Sequence, residues 1–146
     1  MKKSLVLFFA ILWSTSVSAG EDKTKALDGF NNVDFGHLLQ GNQSELITDT
    51  LLGFVNTRVG GFGVVLEEGR PVLEVKISFI DARGDNERGV VDVKETGFAD
   101  DSVKGEWQRY LFKRTKDRRF KLVGYGLKYM CYRGENKDKW IKDRCG

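Results

Sequence analysis

The stretch Glu106–Met130, EWQRYLFKRTKDRRFKLVGYGLKYM, decides the fold because its pattern is that of a long β-hairpin. The turn signal Lys116–Arg118 separates two arms that are rich in aromatic residues. Along the second arm, every second residue from Val123 to Tyr129 is large and apolar or aromatic, so these side chains share one face of a strand. Gly124 and Gly126 fall on the opposite face, where we expect a neighbouring element to approach the backbone closely.

More strands precede this hairpin. From Leu73 to Phe79, apolar residues alternate with polar ones, which predicts a strand with one buried face. Val64–Val75 reads as two short runs around the turn signal Glu68–Arg70. After the turn Asp81–Asn86, the segment Val90–Thr96 predicts the next strand. We therefore expect about five antiparallel strands joined by short loops.

A helix is predicted before the strands, where the apolar period changes. Asn42 or Ser44 could cap it, Glu45 lies in its first turn, and Gly60-Gly61 ends it. Its apolar stripe consists of Ile47, Leu51, Phe54, Val55 and Val59. The segment Leu27–Leu39 is predicted to form another short helix.

These elements predict an α+β domain in which an N-terminal helix packs on the concave face of a curved antiparallel sheet. The order of elements, with its aromatic Trp107–Tyr129 hairpin, resembles the cystatin-like and NTF2-like folds. The NTF2-like resemblance implies that a ligand pocket could lie between helix and sheet. The alternative is a small all-β barrel, which would require Leu46–Val59 to be a strand.

The N-terminus has the three parts of a signal peptide. Lys2 and Lys3 precede an apolar core, Leu5–Trp13, which is too short to span a bilayer. The small residues Val17–Ala19 follow it, so cleavage after Ala19 is expected. We predict a signal peptide over residues 1–19, a single domain over residues 20–146, and a periplasmic or secreted location without a membrane span.

The two cysteines, Cys131 and Cys145, are predicted to form a disulfide because the chain is exported. The absence of a C-x-x-C motif argues against a redox role. Closing a loop of this length stabilises by about 3 kcal/mol in the chain-entropy model. We expect Trp140 to pack back on the sheet, and Arg133 and Trp140 are the candidate anchors if the loop binds a partner. The tail C-x-R-G-x-N-x-x-x-W-x-x-x-x-C also resembles those of small exported bacterial proteins.

Residues for catalysis or metal binding are few. His37 is the single histidine and lies among apolar neighbours, so we expect a partly buried packing residue. One histidine without free cysteines makes a zinc site improbable. The carboxylate pairs Glu67-Glu68 and Asp100-Asp101 are expected to be solvated turn residues. The sequence therefore predicts no catalytic residue, no metal and no cofactor.

Charge is distributed unevenly along the chain. Residues 20–103 carry 8 basic and 16 acidic side chains, whereas residues 104–146 carry 14 basic and 5 acidic ones. We expect acidic and basic strands to neutralise each other across the sheet. The basic hairpin turn could also contact an anionic partner, such as lipid headgroups, a cell-wall polymer or an acidic protein surface. Its candidate contact residues are Arg114, Lys116, Arg118 and Arg119.

The function that these features favour is non-enzymatic binding of a protein or an anionic envelope component, with nucleic acid excluded by export. An inhibitor or immunity protein directed against a cell-wall enzyme is one version. The alternatives are a ligand carrier or enzyme with a pocket between helix and sheet, and a structural component of the envelope.

Overall fold

The computed structural model describes residues 25–39, 44–58, 72–80, 87–99 and 101–146, with the side chain of Arg58 excepted. The predicted signal peptide and the predicted turns Glu68–Arg70 and Asp81–Asn86 lie outside these ranges. The elements are β1 (Asn31–Asn32), β2 (Ile47–Thr48), α1 (Leu51–Arg58), β3 (Val72–Ile80), β4 (Arg88–Thr96), β5 (Val103–Arg114), β6 (Phe120–Cys131) and β7 (Trp140–Ile141). Within these ranges, no helix is long and apolar enough to cross a membrane.

The four long strands form an antiparallel sheet in the order β3-β4-β5-β6. The outer edge of β6 pairs with three two-residue strands: β2 near its start, β1 in the middle and β7 near its end. The described strands thus form an open sheet, with β3 at one edge and these short segments at the other. Among the described residues, the helix α1 packs on it, which confirms the α+β class.

The main core lies between α1 and one face of the sheet, called here the helix face. The ring centroid of Phe54 is 4.9 Å from those of Tyr110 and Phe112, both in edge-to-face geometry. Val55 and Phe112 are almost fully buried. The cluster consists of Leu46, Leu51, Phe54, Val55, Val91, Val93, Tyr110, Phe112, Phe120, Leu122 and Tyr125. Burial of this apolar surface is the main force that holds α1 on the sheet.

The helix begins later in the chain than predicted. It begins at Leu51, and its cap is Thr50, whose hydroxyl accepts a hydrogen bond from the backbone N–H of Gly53 at 2.9 Å. The predicted caps Asn42 and Ser44 were therefore wrong. Ile47 pairs with β6 as part of β2, because strand pairing there outweighs the helical propensity of the segment. The predicted stripe is confirmed for Leu51, Phe54 and Val55, which are buried.

The predicted helix over Leu27–Leu39 is also wrong. This segment crosses the outer edge of β6: Leu27 and Phe30 are buried on the face opposite α1, while Phe35 and Leu38 pack against the main core. Between them β1 pairs with β6, and Gly36–Leu38 forms one 3-10 turn. An extended crossing lets one segment cover both faces, which a helix of this length could not do.

Two glycines of β6 make this crossing possible, as their position in the hairpin predicted. A Cβ at Gly126 would lie 2.8 Å from the Cβ of Phe30, and one at Gly124 would lie 3.1 Å from a δ-carbon of Leu27. The N-terminal segment therefore packs directly on the backbone of β6.

We expect Gly126→Ala to lower the free energy of unfolding by about 1–3 kcal/mol, because the added methyl group must displace Phe30. Gly124→Ala should cost less, since its added Cβ would meet a side-chain methyl at 3.1 Å. Urea unfolding measures both. Equal stability of Gly126→Ala and the parent chain would contradict the packing of Phe30 on β6.

Candidate binding surfaces

The C-terminal loop is closed as the sequence predicted. Cys131 and Cys145 form a disulfide with their Cα atoms 5.6 Å apart. Inside the loop, the backbone N–H of Asp138 donates a hydrogen bond to the carbonyl of Cys131 at 3.2 Å, and β7 pairs with the end of β6. The disulfide therefore returns Trp140 to the sheet, where it pairs with Met130.

Trp140 packs on a second tryptophan that the sequence did not single out. The rings of Trp140 and Trp107 lie 5.8 Å apart at 73°, and Phe30 meets Trp107 from another side at 5.0 Å. All three lie on the sheet face opposite α1. We call the group the Trp107 cluster, consisting of Phe30, Lys94, Trp107, Arg109, Lys128 and Trp140.

Strand register brings the basic members to this cluster. Lys94 of β4, Trp107 of β5 and Lys128 of β6 are direct cross-strand neighbours. The ammonium of Lys94 lies 4.7 Å from the centroid of the Trp107 ring, and that of Lys128 lies 5.3 Å from it. Such contacts between cations and aromatic rings are attractive, and they hold the two lysine stems along the indole.

Asp92 binds two members of the cluster, Trp107 and Arg109, through hydrogen bonds. Its side chain is buried, and one carboxylate oxygen accepts hydrogen bonds from Trp107 Nε1 at 2.8 Å and Arg109 Nε at 2.7 Å. The other oxygen accepts a bond from the same guanidinium at 3.0 Å. Arg109 also donates to the carbonyl of Ala26 at 3.2 Å. A fork-shaped guanidinium on a buried carboxylate fixes both partners, so the rotamers of Trp107 and Arg109 are set before any partner binds.

The predicted basic turn forms a second surface at the other end of β6. Arg114 pairs with Glu87, and Arg119 pairs with Asp117 at 2.6 Å. Lys116 and Arg118 are exposed, and Arg118 has a positive φ of 66°. The hydrogen bonds from Thr115 and Arg119 lower the pKa of the Asp117 carboxyl below its ordinary value. The turn therefore keeps its carboxylate charged, and that carboxylate holds the Arg119 side chain in place.

The register adds three more cations to this surface. Arg88, Lys113 and Lys121 are direct cross-strand neighbours on β4, β5 and β6. Like charges directly opposite each other destabilise a sheet. We call the combined group the basic end, consisting of Arg88, Lys113, Arg114, Lys116, Arg118, Arg119 and Lys121.

Three ion pairs of the described residues join the two parts of the chain that differ in charge, and three others lie within one part. Arg109 pairs with Asp92, Arg114 with Glu87 and Lys121 with Glu45, and each pair joins the basic C-terminal part to the acidic N-terminal part.

The predicted partner-binding residues separate into two places. Trp140 belongs to the Trp107 cluster, and Arg133 is exposed in the disulfide loop just after Cys131. Arg114, Lys116, Arg118 and Arg119 lie at the start of β6. Because β6 has 12 residues, the two places are about 36 Å apart. One compact partner site cannot include both.

The residues considered for catalysis do not converge. His37 is exposed, not partly buried as predicted, and its ring lies 5.7 Å from that of Tyr125. Its Nδ1 faces the carbonyl of Asp34 at 3.0 Å. Glu67, Glu68 and Asp100 lie outside the described residues. Among the residues described, no three of the His, Cys, Asp and Glu side chains are grouped as metal ligands.

A carboxyl pair that the sequence did not reveal lies on the helix face. Glu95 of β4 and Glu106 of β5 are directly opposite each other, and Tyr129 of β6 is the next neighbour in the row. Burial, with a smaller contribution from the charge of Glu106, raises the pKa of Glu95 above its ordinary value. The same two causes raise the pKa of Tyr129.

A cleft of about 330 Å³ lies where the N-terminal segment crosses the edge of β6. Leu27, Val33, Phe35 and Val123 give it apolar walls, and Asp34 contributes a carboxylate. It is not the expected pocket between helix and sheet, where Phe54, Val55 and Phe112 occupy the space beneath α1.

Comparisons of the chain with models of protein families, with curated proteins and with solved structures find no match.

We expect Glu95→Gln to raise the free energy of unfolding near pH 7. The folded chain binds a proton at Glu95 more tightly than the unfolded chain does, so this group's stabilisation is present below the unfolded pKa and is lost as pH rises through the folded pKa. At about pH 4 the effect should nearly vanish. Urea unfolding at both pH values measures it.

Glu74→Gln is the matched control, because Glu74 is exposed and pairs with Lys94 at 3.2 Å. This variant should not gain stability near pH 7. If Glu95→Gln were destabilising there, the account of its raised pKa would be wrong.

Proposed function

We propose that this chain is an exported, non-enzymatic binding protein that recognises an acidic surface of a partner protein through the Trp107 cluster. The observation that carries the proposal is the contact of two partly exposed tryptophans, Trp107 and Trp140, with basic side chains on the rings of Trp107. Tryptophan and arginine dominate the energetic centres of protein interfaces. The basic groups would select an acidic partner and steer its approach.

The rigidity of the cluster supports binding. Asp92 holds Trp107 and Arg109 in position, and the disulfide holds Trp140. A surface whose side chains are already ordered loses little conformational entropy when a partner docks. At its margin, Lys128 and Lys94 remain partly exposed, and Lys94 also pairs with the exposed Glu74.

Export is supported by the signal-like N-terminus together with the disulfide, because such bonds persist in oxidising compartments. More specifically, we propose that the protein is an inhibitor or immunity protein that acts on a cell-wall enzyme. We also propose that its α+β fold is of the cystatin-like or NTF2-like kind.

The cleft at the β6 edge favours a second candidate function, the carriage of a small ligand. Its apolar walls suit an organic ligand, and Asp34 would favour one with an amine.

Val123→Trp should fill the cleft and abolish such binding without affecting the Trp107 cluster.

A pull-down from periplasmic extract at low salt tests the main proposal. The parent chain should retain a protein that high salt releases, since exposed charges are screened. Trp140→Ala should weaken its binding by about 30-fold, the loss typical of an interface tryptophan. Lys94→Ser with Lys128→Ser should also weaken it, with the folded state checked by near-ultraviolet circular dichroism.

Lys116→Ser with Arg118→Asn is the control, because it removes two positive charges at the basic end, as many as Lys94→Ser with Lys128→Ser removes from the Trp107 cluster. This control should retain as much of the partner as the parent chain does. A partner lost from the control and kept by Trp140→Ala would refute the role of the Trp107 cluster, as would the absence of any salt-sensitive partner.

A further inference from the structure

Most of the exposed large apolar side chains among the described residues lie at the same end of the sheet as the basic end. Ile47, Leu52 and Phe79 are 39%, 51% and 51% exposed. The fourth such residue, Val72, is 56% exposed and lies at the opposite end of β3. Single exposed apolar residues are ordinary, but three of four at one end of a sheet require an explanation.

Strand pairing and the start of α1 place these residues. Ile47 is the cross-strand partner of Lys121, on the outer edge of β6. Phe79 pairs with Gly89, one position from Ile80 and Arg88, where β3 ends and β4 begins. Leu52 follows Leu51, a side chain that reaches the space above Gly89. Ile47 and Phe79 therefore lie within a residue or two of the strand ends, and Leu52 lies in the first turn of α1, which packs above Gly89 through Leu51.

The same end has a clear excess of positive charge. Its seven cations are accompanied by four described carboxylates, those of Glu45, Asp49, Glu87 and Asp117. The described residues of this end therefore carry a net charge of +3. The row Arg88, Lys113 and Lys121 places three cations side by side, and such a group attracts an anionic surface.

The apolar and basic residues lie on both faces of this end of the sheet. Ile47 shares the sheet face of Lys113 and Lys121, whereas Phe79 lies on the helix face and Leu52 belongs to α1, which packs on that face. The exposed turn Lys116–Arg119 extends between them. An acidic protein would be expected to meet a flat or concave patch on one face, but a bilayer can accept an edge from both sides.

We propose that the basic end is a peripheral docking surface for an anionic lipid bilayer. Phe79, Leu52 and Ile47 enter the headgroup layer, and the lysine and arginine side chains bind lipid phosphates. Apolar burial together with attraction to anionic lipid is the combination that holds peripheral proteins on membranes. This goes beyond the protein-binding function and uses a different end of the sheet, so either proposal can fail alone.

Co-sedimentation with unilamellar vesicles tests the proposal. The full mature chain should bind vesicles of phosphatidylcholine containing one-third phosphatidylglycerol, and should not bind pure phosphatidylcholine. Lys116→Ser with Arg118→Asn should lower the partition coefficient about 25-fold, since each basic residue near an anionic surface contributes about fivefold. Asparagine tolerates the positive φ at position 118, so this variant should fold.

Two variants test insertion separately from charge. Leu52→Ser and Phe79→Thr should each weaken binding to anionic vesicles several-fold, because each removes apolar area from the headgroup layer. Val72→Thr is the matched control on the same strand and should bind as the parent chain does. Lys139→Ser with Lys142→Ser is the charge control, because both lysines are exposed in the disulfide loop.

Three outcomes would overturn the proposal: no binding to the anionic vesicles at low salt, an equal loss in the disulfide-loop control, or no effect of Leu52→Ser and Phe79→Thr. The last would reduce the interaction to adsorption by charge. Retention on polyglutamate beads without vesicle binding would also overturn it and would assign the basic end to an acidic polypeptide.

Discussion

The structure depends on β6 being paired along both of its edges. One edge joins β5, and the other joins β2, β1 and β7 in turn. These three short strands come from distant parts of the sequence, so the single strand β6 fixes the N-terminal segment, the start of α1 and the disulfide loop together. They also cover an edge that would otherwise be open to association with another chain.

Both candidate surfaces are consequences of this arrangement. At the end of β6, pairing with β7 returns Trp140 to Trp107, and Lys128 of β6 lies beside the same indole. At its start, pairing with β2 places Ile47 beside Lys121. Each surface is therefore held by backbone hydrogen bonds and not by loop conformation alone, which is the kind of support that precise recognition requires.

The sequence predicted those features that depend on local pattern. Alternation in β3, alternation in β6 from Tyr125 onward, the close packing on Gly124 and Gly126, the disulfide and the return of Trp140 were all predictable. The register between β5 and β6 could not be predicted, because β6 has a bulge at Val123. If residues are counted from the turn without this bulge, Trp107 is paired with Leu127 instead of Lys128. Two-residue strands such as β1 and β2 carry no periodicity, so Asn31 and Ile47 were assigned to helices.

Amide hydrogen exchange measured residue by residue tests the double pairing of β6 most directly. The carbonyls of Tyr125 and Cys131 accept bonds from Val33 and Asp138, which assigns alternate residues, including Leu127 and Tyr129, to the outer edge. Amides of Leu127 and Tyr129 should be protected nearly as well as those of Gly126 and Lys128, which face β5. Exchange of the outer set at the rate of an unprotected peptide, with the inner set protected, would contradict the account.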